Sequence, residues 1–393
     1  DIKEILAGRN FVDKVIEISK SALENNLNFL RNYLKPGVRI SSVIKGNAYG
    51  HQIEAFVPLA EACGIDHFSV FNAHEAYRAL LSTSKDSTVM IMGMIENDEL
   101  EWAIKNNVEF YVFDFDRLDH AIQTSKKINK KAIIHIELET GMNRTGFAFK
   151  DQKKLIGILK ENDEYIEFKA LCTHYAGAES IANHYRIQHQ IKKFNKYSLD
   201  FDRQGLKPKM RHSACSAATF SYPHTQMDMV RIGIMQYGFW SSIETLINYL
   251  SKQKSKVDPL IRVLRWKTQI MSIKNVKTGE FIGYGTEYLA QQDMIIGTVP
   301  VGYSHGYSRS LSYQGRVLVN DNRVDVIGVV NMNLLIIDLS LVPHTKKGDE
   351  VVLIGKQGDV EITVASFSEF SNQLNYELLT RLPQSIPRLL DIS

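Results

Sequence analysis

The sequence predicts an α/β fold in which a (β/α)8 TIM-like barrel is followed by a mostly β C-terminal domain. Short β-rich runs alternate with helical stretches, eight such runs occur before the texture changes, and no glycine-rich dinucleotide fingerprint follows the first of them. A doubly wound open sheet would give a similar alternation, and only the missing fingerprint favours the closed barrel. The eight candidate strands are residues 38–45, 67–71, 88–93, 109–113, 132–138, 167–174, 209–213 and 227–232.

Helical segments follow most of these strands, as a parallel barrel requires. They are residues 53–63, 73–81, 98–106, 117–127 and 152–161. After Asp258, β-branched runs separated by Gly, Asn and Asp take over, at residues 293–300, 315–319, 324–330 and 350–354. We therefore expect four parts: an N-terminal extension (1–13) packing on the β domain, a barrel (14–242), a solvated linker (243–258) and a C-terminal β domain (259–393).

Composition excludes several classes of protein. The 393-residue chain carries 47 Lys+Arg against 44 Asp+Glu, a net charge of +3, which is too balanced to indicate nucleic-acid or membrane-surface binding. Its apolar runs fall well short of the roughly 20 residues that cross a bilayer, so we expect a soluble protein.

The cysteines and the N-terminus bear on location. Cys63, Cys172 and Cys215 lie far apart, without metal-ligand spacing and without the even number of a disulfide framework, which favours a reducing compartment and predicts no metal site. The chain opens at Asp1 with neither an initiator methionine nor a signal-like segment, so we expect that something upstream was removed or left out. A cytoplasmic location is our expectation, with a periplasmic one after signal removal as the alternative.

The fifth candidate strand alternates in polarity. Ile134, Ile136 and Leu138 fall on one face, while His135 and two glutamates fall on the other. Polar residues facing inward are unusual for a packed barrel core, and they suit a lumen that binds something polar.

Lys45 ends the first candidate strand and precedes a tight polar turn, in the segment Ser-Val-Ile-Lys-Gly-Asn-Ala-Tyr-Gly-His (42–51). A lysine that points into a pocket is desolvated, which lowers its pKa and frees an amine able to attack an aldehyde, as in Schiff-base chemistry with pyridoxal 5′-phosphate. Tyr49, four residues on, is placed to offer its hydroxyl to a phosphate. Taken alone, Lys45 is more simply interpreted as a surface lysine before a turn.

Arg231 ends the eighth candidate strand in the segment Asp-Met-Val-Arg-Ile-Gly-Ile (228–234). The glycine turn after it can present backbone N–H groups to a phosphate. By itself the signal is weak, since strand-end arginines are usually ion-paired at the surface.

Together the two segments resemble the signatures of the alanine racemase family, the pyridoxal-phosphate-dependent amino-acid racemases of fold type III. The resemblance runs from about residue 14 to Arg388. It implies that Lys45 carries the cofactor and that the protein interconverts L- and D-alanine as a homodimer, supplying D-alanine for bacterial peptidoglycan. It also implies that Arg231 contacts the pyridine nitrogen. Because an arginine does not give up its proton, the cofactor is then a poorer electron sink, which favours simple proton removal and return.

Tyr284, in the segment Phe-Ile-Gly-Tyr-Gly-Thr (281–286), resembles the family's catalytic tyrosine. Racemisation needs a proton acceptor on each face of a planar carbanion. By resemblance, Lys45 serves one face, and the partner subunit's Tyr284 serves the other in a head-to-tail dimer. On its own, Tyr284 is more simply a tyrosine in a glycine-flanked hairpin.

The resemblance assigns further substrate and cofactor residues by position. His174 matches the histidine that links the tyrosine to the arginine network, and Arg144 matches the arginine that positions the tyrosine and the substrate carboxylate, a task suited to a guanidinium. Met332 matches a position whose backbone N–H binds the substrate carboxylate. Tyr303 matches an entryway tyrosine.

The phosphate group is expected at a separate cluster. Ser216, in the segment His-Ser-Ala-Cys-Ser-Ala (212–217), matches the family's phosphate serine. Gly233 and Ile234 complete that cradle, with the Tyr49 hydroxyl.

Several positions depart from the family pattern. Where the usual enzymes have a lysine that becomes carbamylated, this chain has Glu137, and we expect its carboxylate to replace the carbamate. Cys215 stands where an asparagine is common. Three further changes fall in segments that line the substrate and its entrance, and they bear on strict alanine specificity: His305, Asn333 and Gln384.

Other functions remain open at this stage. A broad-specificity racemase acting on serine, lysine or arginine is the first alternative. A barrel-type decarboxylase for basic amino acids would place an acidic residue at the pyridine nitrogen, and Arg231 argues against it. A non-catalytic pyridoxal-phosphate-binding protein would have the barrel alone, and the Tyr284 segment and Arg144 argue against that.

Overall fold

The computed structural model describes residues 13–84, 86–363 and 375–391, apart from the side chain of Asn375. Its strands, in chain order, are β1 Lys14–Ser19, β2 Arg39–Val43, β3 His67–Val70, β4 Thr88–Ile91, β5 Glu109–Val112, β6 Ala132–Glu137, β7 Ile166–Cys172, β8 Met210–Cys215, β9 Met229–Ile232, β10 Leu264–Gln269, β11 Ser272–Val276, β12 Met294–Val299, β13 Arg316–Val319, β14 Asn322–Ile327, β15 Leu335–Asp338, β16 Glu350–Gln357, β17 Val360–Ile362 and β18 Arg388–Asp391.

The α-helices lie mainly between the first nine strands. They are Lys20–Tyr33, Ile53–Ala62, Ala73–Ser82, Leu100–Lys105, Phe115–Ile128, Gln152–Glu161, His184–Arg203, Ser216–Ser221, Ile243–Ser251 and Asn375–Thr380. Side-chain caps fix several of their starts. Asn72 accepts a hydrogen bond from the backbone N–H of Glu75, and Asp114 accepts one from that of Arg117.

The described residues form two compact units. One holds the residues up to Ser21, the segment Tyr49–Ala55 and the residues from Arg262 onward, and the other holds Ala22–Ala48 and Phe56–Ile261. We refer to them as the β unit and the barrel unit.

The barrel unit is built on a closed ring of eight parallel strands, β2 to β9 in chain order. The four residues of β3 and the four of β5 are all buried, as expected of parallel strands covered on both faces. All eight predicted strands are present, and the predicted fold class is confirmed.

The β unit contains an extended mixed sheet in the order β11-β12-β15-β14-β13-β16-β10-β1-β18, with β17 on β16. Most of its pairs are antiparallel, which matches the short runs between Gly, Asn and Asp. Ile282, Met294, Ile296 and Ile327 belong to one of its apolar clusters.

The first strand differs from its predicted place. We assigned residues from 14 onward to the barrel, but β1 pairs antiparallel with β10 and parallel with β18 in the β unit. Ile16 and Ile18 of this strand are fully buried, whereas Lys14, Glu17 and Ser19 are partly exposed, a pattern that suits a sheet with one covered face. Position in the chain was a poor guide because strand pairing is not local.

The segment 243–258 also differs from the solvated linker that we predicted. It begins with the helix Ile243–Ser251, whose N-terminus is capped by the Ser242 hydroxyl. The indole N–H of Trp240 donates to Asp258 at 2.9 Å, so the end of the segment is held as well. The predicted N-terminal extension lies outside the described residues apart from Asp13.

Among the described residues, none of the helices has the length and apolar character needed to cross a membrane.

Candidate active site

Lys45 stands at the start of a left-handed turn. The backbone φ values of Gly46, Asn47 and Ala48 are 61°, 55° and 53°, and that of Tyr49 is 50°. Such angles are common for glycine and tolerated by asparagine, but unfavourable for alanine and tyrosine, and strain of this kind concentrates at functional sites. Side chains hold the turn: Arg78 Nη2 donates to Asn47 Oδ1 at 2.6 Å.

The Lys45 ammonium lies among cationic neighbours. Burial lowers its pKa below 10.5, and the guanidinium of Arg144 and then that of Arg231 add to the effect, opposed by Glu75. The side chain is nevertheless open to solvent. A small molecule can therefore reach an amine that loses its proton more readily than that of an ordinary lysine.

Arg231 is buried and fully engaged at its terminal nitrogens. Nη1 bonds Tyr111 Oη at 2.9 Å and His212 Nδ1 at 2.6 Å. Nη2 donates to two backbone carbonyls, those of Thr173 at 2.8 Å and Ser213 at 2.9 Å. A guanidinium has five N–H donors, so only Nε–H has no hydrogen-bond partner among the described residues. One donor is left for a ligand.

Three of the four predicted phosphate residues, Ser216, Gly233 and Ile234, lie in the barrel unit. The Ser216 hydroxyl accepts a hydrogen bond from the backbone N–H of Gly233 at 3.0 Å. Ser216 and Ile234 are buried. A hydroxyl and backbone amides that converge in this way form an arrangement that binds phosphate oxygens.

Glu137 is buried at the end of β6, in the field of two arginines. Burial raises the pKa of its carboxyl above 4.5, while the Thr145 hydroxyl, which donates to Oε1, and the guanidinium groups of Arg231 and Arg144 act in the opposite direction. An acidic group is therefore present near both cations, as the hypothesis of a carbamate substitute requires. The Arg144 side chain is exposed.

His174 is held neutral. Burial, reinforced by Arg231, Arg144 and Lys45, lowers the pKa of its imidazole to about 3. The three cations Arg231, Arg144 and Lys45 are thus close enough to His174 to lower its pKa.

The sequence pointed to only one part of a larger polar cluster in the barrel lumen. His135 was singled out by its inward position, and it hydrogen-bonds both Glu109 and His212. Glu109, His212 and Tyr111 were missed as site residues. Polar residues at inward positions of several strands were the signal that could have found them.

Four of the predicted site residues belong to the β unit: Tyr49, Tyr284, Tyr303 and Met332. Tyr284, 74% exposed, lies at the tip of a hairpin that is closed by the pairing of Phe281 with Leu289. The flanking Gly283 and Gly285 have φ values of 79° and 72°, which such a tip requires. A tyrosine in this place is accessible from outside its own chain.

Tyr303 and Met332 lie in neighbouring segments of the β unit. The backbone N–H of Tyr303 donates to Asn331 at 3.0 Å, and Ser304 donates to the Met332 carbonyl through its backbone N–H at 3.0 Å and its hydroxyl at 2.7 Å. Within the described part of the chain, the N–H of Met332 donates to no protein group. Its availability fits the predicted contact with a carboxylate.

Tyr49 is buried in the β unit, with its ring 5.9 Å from that of Tyr376. Gly50 after it must be glycine, because its φ is +80° and a Cβ there would lie 1.9 Å from the Leu379 carbonyl oxygen. Arg388 Nη2 also donates to the Gly50 carbonyl at 2.8 Å. The hydroxyl of Tyr49 is thus carried on a tightly fixed backbone.

Two of the residues that depart from the family pattern, His305 and Asn333, have hydrogen-bond partners in the structure. His305 Nδ1 accepts from the backbone N–H of Gly302 at 3.1 Å, and Asn333 Nδ2 donates to Ser304 Oγ at 3.0 Å. Gln384 is exposed. Burial raises the pKa of the Cys215 thiol, which keeps it protonated at neutral pH.

No group of three or more metal-ligating side chains is found in the part of the chain that the structure describes.

A closed barrel with a strand-end lysine near the buried Arg231, followed by a β unit with an exposed tyrosine, is the arrangement expected of a pyridoxal-phosphate-dependent amino-acid racemase. Two family domains match the sequence: the N-terminal domain of alanine racemase at residues 18–240, and the C-terminal domain at residues 263–390. The chain belongs to the alanine racemase family.

Individual relatives agree along nearly the whole chain. An alanine racemase of Leptospira interrogans is 33% identical over 377 residues, covering 95% of both chains. The solved alanine racemase of Clostridium difficile 630 superposes with a TM-score of 0.88 at 27% identity, covering 98% of this chain and 97% of that one. That of Bacillus anthracis, solved with bound L-Ala-P, has a TM-score of 0.88 at 29% identity and covers 98% and 96%.

Proposed function

We propose that the chain is a pyridoxal 5′-phosphate-dependent alanine racemase that interconverts L- and D-alanine by a two-base mechanism. The observation that carries the proposal is the presence of both Lys45 and Arg231 in the barrel unit. The lysine has a lowered pKa and lies open to solvent, and a single N–H of the arginine has no hydrogen-bond partner among the described residues.

The residues present fit the cofactor. Lys45 would hold its aldehyde carbon, the free Nε–H of Arg231 its ring nitrogen, and Ser216 with Gly233 and Ile234 its phosphate. When bound, pyridoxal phosphate supplies an electron-withdrawing ring that acidifies the Cα–H bond of an attached amino acid.

Two bases then move the proton at Cα. We assign one face of the substrate to the amine of Lys45, whose pKa is lowered toward the range in which it can accept a proton. The other face belongs to Tyr284 of the partner subunit, in a head-to-tail homodimer. The 74% exposure of Tyr284 supports this role, because a tip residue of this kind is accessible to a second chain.

Charged and polar groups orient the substrate. Arg144, whose guanidinium makes no hydrogen bond or ion pair to a described residue, is suited to bind the substrate carboxylate, as is the N–H of Met332. Glu137 supplies the negative charge that steadies Arg144, in place of a carbamylated lysine. His174, neutral at any physiological pH, links the arginine network to the tyrosine.

A relaxed side-chain preference is the second candidate. His305 and Asn333 fall in the segments that carry Tyr303 and Met332 and make hydrogen bonds there, and Gln384 is exposed. In either case the product supports a role in D-amino-acid supply for the cell wall, and a cytoplasmic location remains our prediction.

Mixed dimers test the two-base proposal directly. Lys45→Ala and Tyr284→Phe are each expected to be inactive toward L-alanine. If equal amounts are dissociated and reassembled at random, half of the dimers are mixed, and each has one site with both residues intact. We therefore expect recovery of about a quarter of the wild-type activity.

The control is Tyr288→Phe, a tyrosine of the same hairpin, which should keep wild-type activity on its own and show that the loss in Tyr284→Phe is specific to that hydroxyl. Failure of the Lys45→Ala and Tyr284→Phe mixture to regain activity, with dimers confirmed, would place both bases in one chain. Full activity of Lys45→Ala alone would refute the proposed function.

A further inference from the structure

A line of buried polar side chains crosses the barrel lumen and ends at Arg231. Glu109 Oε2 lies 2.6 Å from His135 Nε2, and His135 Nδ1 lies 2.8 Å from His212 Nε2. His212 Nδ1 lies 2.6 Å from Arg231 Nη1. All four residues are buried, so water does not compete for these bonds.

The chemistry of the groups fixes the direction of every bond. A guanidinium only donates, so His212 Nδ1 accepts and its proton sits on Nε2. His135 Nδ1 must then accept from His212, which leaves its own proton on Nε2. That proton is donated to the Glu109 carboxylate. The donors therefore run in one direction, from Arg231 through His212 and His135 to Glu109.

The charges agree with this direction. Burial, followed by the charge of Arg231, lowers the pKa of His212 well below 6.5, so this ring stays neutral. Burial alone would raise the pKa of Glu109, but the hydrogen bond from His135 and the nearby imidazole of His67 hold it well below its ordinary value. A fixed cation and a fixed anion are thus joined by imidazoles.

We propose that Glu109 is a positioning residue which, through His135 and His212, fixes the rotation of the Arg231 guanidinium. The fixed rotation determines the direction in which Nε–H points, and this is the one Arg231 donor that has no partner in the part of the chain that the structure describes. Its consequence for the cofactor rests on the proposed function, whereas the direction of the hydrogen bonds does not.

Other groups around Glu109 suggest a competing role as a simple counterion. Lys169 Nζ lies 3.7 Å from Oε1, and His67 Nε2 lies 3.7 Å from Oε2. His67 Nδ1 is itself 2.7 Å from the Ser41 hydroxyl. If Glu109 served only Lys169, its removal would leave the protons of the two imidazoles where they are.

The first test is 15N NMR of the holoenzyme labelled at histidine, which reports which ring nitrogen carries each proton. We expect His135 and His212 to be neutral with the proton on Nε2, and a 15N–15N coupling across the bond that joins them. A proton on Nδ1 of His212, or a charged ring in either residue, would overturn the proposal.

The second test replaces Glu109 by glutamine. The glutamine amide can donate to His135 Nε2. The protons of both imidazoles then move to Nδ1, and that of His212 faces the donors of the Arg231 guanidinium. We expect mixed tautomers in Glu109→Gln and release of pyridoxal phosphate about tenfold faster, a loss typical of residues that orient ligand-binding side chains. Glu109→Asp keeps the charge and should retain the wild-type tautomers.

The matched control is Glu167→Gln. Glu167 contacts Lys209 at 2.6 Å and Lys169 at 3.9 Å but no residue of the hydrogen-bonded line. The histidine tautomers and the rate of cofactor release in Glu167→Gln should therefore match those of the wild type. Wild-type tautomers in Glu109→Gln would refute the positioning role, and if that variant does not fold, loss of the pattern in Glu109→Asp would refute it. Altered tautomers with unchanged cofactor release would instead contradict the contact of Arg231 with the cofactor.

Discussion

Replacing Arg231 by lysine removes the guanidinium, whose hydrogen bonds connect several strands of the barrel site. The terminal nitrogens of Arg231 serve four acceptors at 2.6 to 2.9 Å. A lysine ammonium has three donors and no donor in the place of Nε. At least one buried acceptor must therefore lose its partner.

The expected loss follows from that count. A buried acceptor left unsatisfied costs about 1–3 kcal/mol, so the unfolding free energy of the barrel should fall by at least that amount. The missing Nε–H should weaken cofactor binding by a similar free energy, which corresponds to about tenfold or more in affinity. Urea unfolding gives the first quantity and equilibrium dialysis of the cofactor gives the second.

A control distinguishes the loss of the Arg231 hydrogen bonds from the general effect of replacing an arginine by lysine in a barrel strand. Arg211 also lies on a barrel strand, but its guanidinium is partly exposed in a pair with Asp202 at 2.7 Å, so Arg211→Lys should change neither quantity by more than about 1 kcal/mol. An Arg231→Lys variant that matches the wild type in both measurements would refute the reasoning about the guanidinium.

Three more predictions follow from named contacts. Glu137→Gln should lower kcat/KM about 10- to 100-fold, and wild-type activity should be unchanged in buffer stripped of carbon dioxide; dependence on bicarbonate would contradict the carboxylate substitute. Because burial raises the pKa of Glu137 above 4.5, its carboxylate becomes protonated at a higher pH than that of an ordinary glutamate as the solution is acidified. The wild-type kcat/KM should therefore fall on the acidic side of its pH profile, and this fall should be absent in Glu137→Gln. For Lys45, whose pKa lies below 10.5, the rate at which cofactor-free protein takes up pyridoxal phosphate should rise with pH to a midpoint below that value, and a midpoint at or above it would be contrary to the lowered pKa. Gly50→Ala should destabilise the β unit far more than Gly279→Ala, since both have positive φ but only Gly50 would place a Cβ 1.9 Å from a backbone oxygen; equal losses in thermal unfolding would show that the close approach is unimportant.

Local patterns were enough to predict the barrel strands. Each lies within a short β-rich run of the sequence, and all eight lie where the pattern placed them. The pairing of β1 with β10 and β18 was not predictable in this way, because it depends on residues more than two hundred positions apart. The helix Ile243–Ser251 was missed for another reason, because the lysines that follow it dominated the composition of that segment.

Site residues were predictable where one segment carries the signal. Lys45 and Arg231 each end a strand within a recognisable motif. Glu109 and His212 carry no such signal, because the hydrogen bonds that connect them pass through a third strand. The left-handed turn after Lys45 was also not predictable, since alanine and tyrosine rarely adopt positive φ and only the surrounding fold imposes it.

The most direct test of the account is time-resolved chiral analysis of L-alanine in D₂O, with L-serine, L-lysine and L-arginine in parallel, with and without added pyridoxal phosphate. We predict formation of D-alanine with deuterium at Cα, absent in Lys45→Ala, and the other substrates rank the side-chain preference. Absence of both D-enantiomer and deuterium exchange with all four amino acids, while the protein holds its cofactor, would contradict the assignment of racemase activity.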